Sequence, residues 1–400
     1  MTTIRSTPAP SPPSSAASRD AREASVDVAI LGGGPAGTAA ALTLRRYSEL
    51  SVAVIEGSRY ERPRVGETVS PGIRSMLAFL GVWDDFLAEG HLTAFGTSAA
   101  WGGPHLLTRE FLFTGRGDGW LLDRGRFDRM LARKVEESGG LLLTGARLSS
   151  CARSPDGGFR LEVVRPGGAA AIRARHLIDA SGRKAALGRR LGARQRVHDA
   201  LVGVAGYYEL PGDRACPQHT LVEAVPDGWW YSAPLPGGRM VAVFMSDADI
   251  VRRRRAGEPS GFEDALAGAA HTRERLAAGR LRPTLHVRCA RSQRLDPVAG
   301  PGWIAAGDAA SAFDPLSSMG LGFALASGSN AARVAHDVLT SDGSLLPSYG
   351  DSARRHFEQY LDLRRRFYAL ERRWPGHAFW ARRQQISAAT RPIEPAATIA

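Results

Sequence analysis

Residues 26–46 read VDVAILGGGPAGTAAALTLRR, from Val26 to Arg46. An apolar run, Val28-Ala29-Ile30-Leu31, stops at a cluster of glycines, and a helix of small residues follows. Gly32, Gly34 and Gly37 hold the three glycine positions of a G-x-G-x-x-G turn. The first allows the tight turn, the second lets a pyrophosphate approach the backbone, and the third lets the helix pack close to the strand. The helix N-terminus offers free N–H groups and a positive dipole end to phosphates. A second apolar run, Val52 to Ile55, ends in Glu56, nineteen residues after Gly37. A carboxylate there can accept hydrogen bonds from ribose hydroxyls. A lone glycine pattern is weak, because a structural turn can look the same. Strand, helix, second strand and terminal acid in register predict dinucleotide binding, and leave open which dinucleotide.

The remaining chain reads as a discontinuous design. Helical spacing at Ile73, Met76, Leu77 and Leu80, and again at Phe127, Leu131 and Val135, predicts cover for the first sheet. The run His176-Leu177-Ile178-Asp179 returns to that sheet and ends at Ala180-Ser181-Gly182-Arg183. From Ala200 to about Val287 the pattern is strand-like, with turns at PGD, PDG and PGG and a helical insert over about 262–278. Trp303-Ile304-Ala305-Ala306 is again a buried strand, followed by Gly307-Asp308 and by a small-residue helix from about Phe323 to Leu339. The chain then divides into a disordered tail (1–25), a nucleotide-binding domain (26–95, 120–185 and 288–340), a substrate domain (96–119 and 190–287) and a C-terminal helical segment (345–385).

Three segments thus meet at one sheet edge: the glycine turn, Asp179-Ala180-Ser181-Gly182, and Gly307-Asp308. The last places a carboxylate where it can bind a polyhydroxyl chain. FAD carries a ribityl chain and NAD does not, so the three-part pattern points to FAD. An N-cap for the following helix is the structural alternative for Asp308.

GGGPAG (Gly32 to Gly37), RVGETVSPG (Arg64 to Gly72), DASGR (Asp179 to Arg183) and GDAASAFDPLSSMGLG (Gly307 to Gly322) carry a family resemblance. The chain resembles glutathione-reductase-type FAD proteins, in the branch shared by p-hydroxybenzoate-hydroxylase-like monooxygenases and flavin-dependent halogenases. The fold this implies is α/β: a Rossmann-like FAD-binding domain, an inserted, mostly antiparallel β-sheet substrate domain, and C-terminal helices. The resemblance implies cofactor contacts from Gly32, Gly34, Pro35, Ala36 and Gly37 at the turn, Glu56 at the ribose, and Arg64, Arg124 and Asp179. It adds Gly307 and Asp308 by the ribityl and pyrophosphate region, and Gly320, Leu321 and Gly322 by the isoalloxazine.

Within that branch two halogenase markers are altered. The active-site lysine of the halogenases falls on Gly96 here, and Lys134 and Lys184 are the only lysines in the chain. The WxWxIP motif is matched by Trp229-Trp230-Tyr231-Ser232-Ala233-Pro234. Its first Trp and its Pro survive; Tyr231 and Ala233 replace the second Trp and the Ile. The chain is most similar to flavoproteins that mature tryptophylquinone cofactors, on AFGTSAAWGG, GWWYSAPLP, RMVAVFMSD and FYALERRWPGHAFWARR. That resemblance implies a monooxygenase that hydroxylates a tryptophan or similar aromatic, in a partner polypeptide, through a flavin C4a-hydroperoxide. O₂ is then the co-substrate. NAD(P)H is the reductant, or reduced flavin comes from a separate reductase, since no second glycine-rich βαβ unit is visible. Alternatives are hydroxylation of a small natural-product intermediate, a reductase or desaturating oxidase, halogenation, or a flavin-binding chaperone without turnover. Candidate catalytic residues are Glu67, Trp229 and Tyr231, with His91 and Trp101 as further lining. For the aromatics, sheet packing is the competing reading; for Glu67, a loop salt bridge.

Composition bounds the rest. The 400 residues carry a net charge of +12, nearly all from arginine. The densest run, Arg252 to Arg255, has no interleaved aromatics to stack bases, which argues against nucleic acid. A solvated surface with a coding bias toward arginine accounts for the charge, and an acidic protein partner is the alternative left open. No apolar stretch approaches the roughly eighteen residues of a membrane span. Cys151, Cys216 and Cys289 are three and far apart, and the ten histidines show no ligand spacing, so neither a metal site nor a disulfide framework is expected. A reducing cytoplasm is the expected compartment.

Overall fold

The computed structural model describes residues 23–384 apart from 62–63, 116 and 212–215. The first sheet runs, in spatial order, Ala299–Gly300, Trp303–Ala305, Gly168–Asp179, Glu23–Leu31, Val52–Glu56 and Leu141–Thr144. Glu23–Leu31 pairs in parallel with Val52–Glu56 on one side and with Gly168–Asp179 on the other. This strand begins three residues inside the stretch expected to be tail: Glu23, Ala24 and Ser25 pair with Ala171, Ile172 and Arg173. A parallel partner strand thus takes up residues whose own sequence carries no apolar signal. The rest of the expected tail, and the end of the chain from Gln385, lie outside the described residues.

Helix Pro35–Tyr47 covers this sheet and packs against helix Gly320–Thr340. The contact is backbone-close, since a Cβ on Gly328 would stand 2.1 Å from the Ala36 carbonyl oxygen. Glycine and alanine at the crossing are what allow it. The long helix starts at Gly320, three residues earlier than expected, so its first turn is built from GLGF. The 262–278 insert is two helices, Pro259–Ala267 and Ala270–Leu276, parted at Gly268.

The second sheet orders Arg280–Leu281, Leu201–Glu209, Arg239–Asp247, Gly228–Leu235, His219–Val225, Gly96–Ala100 and Leu107–Glu110. It is antiparallel except where Gly96–Ala100 lies parallel to His219–Val225. His286–Cys289 also pairs with it, so residues 288 and 289, expected in the nucleotide-binding domain, belong to this sheet. Three short strands, Thr68–Val69, Gly119–Leu121 and Leu92–Ala94, form a bridge between the two sheets. Helix Leu345–Leu370 starts on the first sheet, where Tyr349 donates to the Ala305 carbonyl, and ends with helix Ala378–Gln384 over the second, with Tyr368, Phe379 and Trp380 fully buried against it.

Candidate cofactor and active site

The glycine turn is fixed by close backbone contacts. Gly32 has φ +108°, and a Cβ there would stand 2.2 Å from the Ala180 carbonyl oxygen. A Cβ on Gly37 would stand 1.8 Å from the Gly32 carbonyl oxygen. Gly34 differs: the nearest atom to its would-be Cβ is Arg64 Nη1, at 4.0 Å. Space is open at the one glycine where a ligand must approach. Pro35 takes the first helical position, Ala36 is buried against Gly307, and the helix has no side-chain N-cap. Its first N–H groups are therefore available to an anion.

Glu56 ends the second strand beside the turn. Its Oε2 accepts from the Gly33 amide at 2.8 Å and its Oε1 from the Ser58 amide at 2.9 Å. Arg64 stands over both. It donates to Asp128 (2.7 Å), Ser58 (2.7 Å) and Glu56 (3.3 Å), and its guanidinium covers the Tyr60 ring. Arg124, the first residue of helix Arg124–Glu137, also pairs with Asp128, and donates to the Val65 and Gly66 carbonyls at 2.9 and 3.1 Å. One buried carboxylate thus aligns both arginines. Asp128 escaped the sequence reading, although its i,i+4 spacing from Arg124 was the available signal.

Asp179 needs correction as a cofactor contact. It is fully buried, and its oxygens accept from the amides of Ser181 (3.0 Å), Leu187 (3.0 Å) and Gly188 (2.7 Å). Its carboxylate holds the turn beside Gly32 and has no face left for a ligand. Asp308 is placed differently. Gly307, with φ +59°, donates its amide to Ser327 Oγ at 2.8 Å, and the Asp308 side chain keeps about a third of its surface exposed. Arg183 pairs with it at 3.2 Å and is itself tied to the Arg291 and Phe313 carbonyls. Gly320 and Gly322 are exposed, with nothing within 4 Å of a would-be Cβ, and Leu321 is half-buried between them. They open a 21-residue helix that has no side-chain N-cap. An open phosphate turn, an accessible carboxylate and a bare helix N-terminus along one edge suit a long dinucleotide.

Glu67 lies between the two sheets. It is buried; Oε2 accepts from the Gly66 amide at 2.8 Å, and Oε1 has no hydrogen-bond partner among the described residues. Burial pushes its pKa up to about 7, against the opposing pull of that amide and of Arg124. The Tyr207 phenol interacts with the same carboxyl, and both line a cleft of about 210 Å³ with Arg64, Arg124, Arg129 and Arg239. Among the described residues the loop salt bridge expected as an alternative is not formed: Arg64 and Arg124 are directed at Asp128. Tyr231 donates or accepts at Thr68 Oγ1 (2.7 Å), which also meets Thr220 Oγ1 (3.0 Å). Its hydroxyl feels the Glu67 charge, and burial raises its pKa. Tyr207, Thr68 and Thr220 are members of this cluster that the sequence did not single out.

Trp229 is not in the cleft. It is buried, donates from Nε1 to the Tyr368 hydroxyl at 3.1 Å, and packs edge-on against Trp101. Tyr368 passes a hydrogen bond to Asp314 at 2.8 Å. Trp101 donates to the Phe367 carbonyl at 2.9 Å. These aromatics clasp the C-terminal helices to the sheet. His91 is buried against Phe86 and accepts the Asp123 amide at 3.2 Å; burial lowers its pKa to about 4, keeping it neutral.

A parallel sheet with a phosphate turn, joined to an antiparallel sheet that faces its open edge, defines a dinucleotide-binding flavoprotein of the FAD-dependent oxidoreductase class. The chain belongs to the FAD binding domain family, whose pattern matches residues 25–364. It is 33% identical over 368 residues to a putative FAD-dependent oxidoreductase, LodB, of Marinomonas mediterranea, spanning 91% of this chain and 98% of that protein. The fold resembles the myxobacterial chondrochloren halogenase CndH (TM-score 0.83, 22% identity, 92% of this chain and 87% of that one). It also resembles the peptidyl tryptophan dihydroxylase QhpG, essential for tryptophylquinone cofactor biogenesis (TM-score 0.67, 27% identity, 90% of this chain and 79% of that one). The protein is therefore an FAD-dependent oxidoreductase of the halogenase and hydroxylase superfamily. Among the described residues no helix is long and apolar enough to cross a membrane.

Proposed function

We propose that this oxidoreductase is a monooxygenase that hydroxylates an electron-rich aromatic ring, a tryptophan side chain carried by a partner polypeptide. The observation that carries the choice against halogenation is Gly96. It pairs with Glu110 across the strand, and a Cβ there would stand 2.3 Å from the Arg109 carbonyl oxygen. No ammonium-bearing side chain can occupy the position without moving backbone. The two lysines do not compensate: Lys134 pairs with Asp85 and Glu137, and Lys184 is exposed in the turn after DASGR. The likeness to a protein described as a peptidyl tryptophan dihydroxylase supports a peptide-borne ring.

Gly34, Pro35, Ala36 and Gly37 would hold the FAD pyrophosphate through main-chain N–H groups, with Arg64 and Arg124 beside them. Glu56 would take the adenosine ribose, Asp308 the ribityl chain, and the Gly320–Gly322 turn the flavin ring. When bound and reduced, FAD supplies the two electrons with which O₂ is activated. One oxygen atom enters the ring and the other leaves as water, and the ring carbon gives up its proton. Glu67 is suited to take that proton at Oε1, which has no hydrogen-bond partner among the described residues, because a pKa near neutrality lets one carboxyl both accept and return it. Tyr231, held by Thr68, lines the approach from the second sheet. Burial of the cluster excludes water from the reacting atoms.

The test is mass spectrometry of the polypeptide encoded beside this one, incubated with the enzyme, FAD, a flavin-reducing system and ¹⁸O₂. Heavy oxygen on a tryptophan supports the reading. Oxygen uptake that releases only peroxide, with the polypeptide unmodified, overturns it; a halide on the ring under added bromide would restore the halogenase.

A further inference from the structure

The strand Leu107–Glu110 is the last in the second sheet. It pairs with Gly96–Ala100 on one side and with no strand on the other among the described residues. Phe111 donates its amide inward to the Phe95 carbonyl. Alternation along an antiparallel strand then turns the main-chain groups of Thr108 and Glu110 outward. Such an edge is normally blunted by charge, a bulge or a covering loop. Here residues 104–109 are all exposed, and the apolar side chains beside the edge are among the most exposed in the molecule: Leu107 at 73%, Leu112 at 77% and Phe113 at 85%. Uncovered apolar side chains beside open main-chain hydrogen-bonding groups mark an association surface.

We infer that this edge docks an extended, acidic segment of the partner polypeptide, which adds a strand to the sheet. Outward N–H and C=O groups in a row are satisfied by another backbone in β conformation, which selects a polypeptide over a small molecule. Charge selects its sign. Arg109 is exposed and has no ion-pair partner among the described residues, whereas the carboxylate of the neighbouring Glu110 is taken up by His219 at 2.9 Å, and the chain carries +12 overall. The overall charge disfavours a second copy of this chain, since two molecules of net charge +12 repel. The geometry also connects the edge to the chemistry. An added strand would lie about three strand spacings, roughly 14 Å, from His219–Val225, whose Thr220 meets Thr68 beside Glu67's loop. A few extended residues, at about 3.3 Å each, cover that span. The partner can therefore anchor at the edge and turn a side chain into the cleft. The inference deepens the proposed reading, and rests on the ring being carried by a polypeptide.

The test is selection of a phage-displayed library of random linear peptides on the flavin-loaded full chain. It is repeated on a Leu107→Lys, Phe113→Lys double variant, whose substitutions sit on exposed side chains and leave flavin content and unfolding midpoint unchanged. Enriched peptides should carry Asp or Glu with apolar residues at alternate positions. They should bind the double variant about tenfold to hundredfold more weakly, and should slow amide exchange at Thr108 and Glu110. Peptides that bind both proteins equally, or no enrichment, overturn the docking site. Exchange at the edge that slows with protein concentration alone overturns it in favour of self-pairing. The readouts separate this from the reaction: edge-dependent binding without oxygen transfer keeps the docking site and removes the hydroxylase, and oxygen transfer unchanged in the double variant does the reverse.

Discussion

Replacing Glu67 by Gln tests the centre of the proposed site through stability as well as turnover. The carboxyl is buried, with one oxygen on the Gly66 amide and the other without a hydrogen-bond partner among the described residues. Its pKa is raised from 4.5 to about 7 by burial. A raised carboxyl pKa means that the folded chain holds the proton more tightly than the unfolded chain between these values. Stability therefore falls as pH rises from about 4.5 to about 7 and levels off above. With about 1.4 kcal/mol for each pK unit, the full loss is roughly 3 kcal/mol. Glutamine keeps the shape and the acceptor for Gly66 but does not ionise. The stability difference, variant minus wild type, should then grow by roughly 3 kcal/mol in favour of the variant between pH 4.5 and 8. Denaturant unfolding at several pH values measures it directly, with the flavin removed so that ligand linkage does not contribute. Turnover should fall about a hundredfold or more if Glu67 carries the proton, and the acid limb of the wild-type pH profile near 7 should vanish. A difference that stays flat across this range would refute the buried, near-neutral carboxyl. A flat difference with lost turnover would leave Glu67 as a positioning group only.

Asp308→Ala should strip most of the flavin, read as the flavin-to-protein absorbance ratio after gel filtration; a variant with full flavin would remove Asp308 from the cofactor site. Gly37→Ala should cost at least about 2 kcal/mol of unfolding free energy, because its Cβ would meet the Gly32 carbonyl. Gly34→Ala should fold normally and lose flavin instead, and equal loss of stability in both would show that the turn is merely structural. Trp229→Phe should lower stability by about 1–3 kcal/mol through the lost Tyr368 hydrogen bond, with flavin content kept. Unchanged stability with abolished turnover would return Trp229 to substrate contact.

The cofactor edge was largely legible because each of its parts is a local pattern. A strand, a glycine turn and a helix follow one another within 26–46, and Glu56 and Gly307-Asp308 each end an apolar run. Local sequence cannot say whether a carboxylate at such an end faces a ligand or a backbone. Asp179 and Asp308 stand in equivalent places at the sheet edge. The first is consumed by three amides of its own turn, and the second stays accessible beside Arg183. Trp229 and Tyr231 show the same ambiguity in a strand. Alternation put them on one face, yet Trp229 is taken up by the C-terminal helix, whose Tyr368 lies 139 residues away in sequence.

Dinucleotide binding, the split of the nucleotide sheet and the missing halogenase lysine were set by residue order, since glycine needs no neighbours to permit a turn and an absent ammonium cannot be supplied by packing. The surroundings of Glu67 were decided by tertiary structure. Its burial, Tyr207 from a strand 140 residues on, and Asp128 drawing Arg124 away arise when two sheets close on one loop. Desolvation depends on what surrounds a group in space, and a carboxylate that would be an ordinary loop charge becomes, in that enclosure, a candidate for proton transfer.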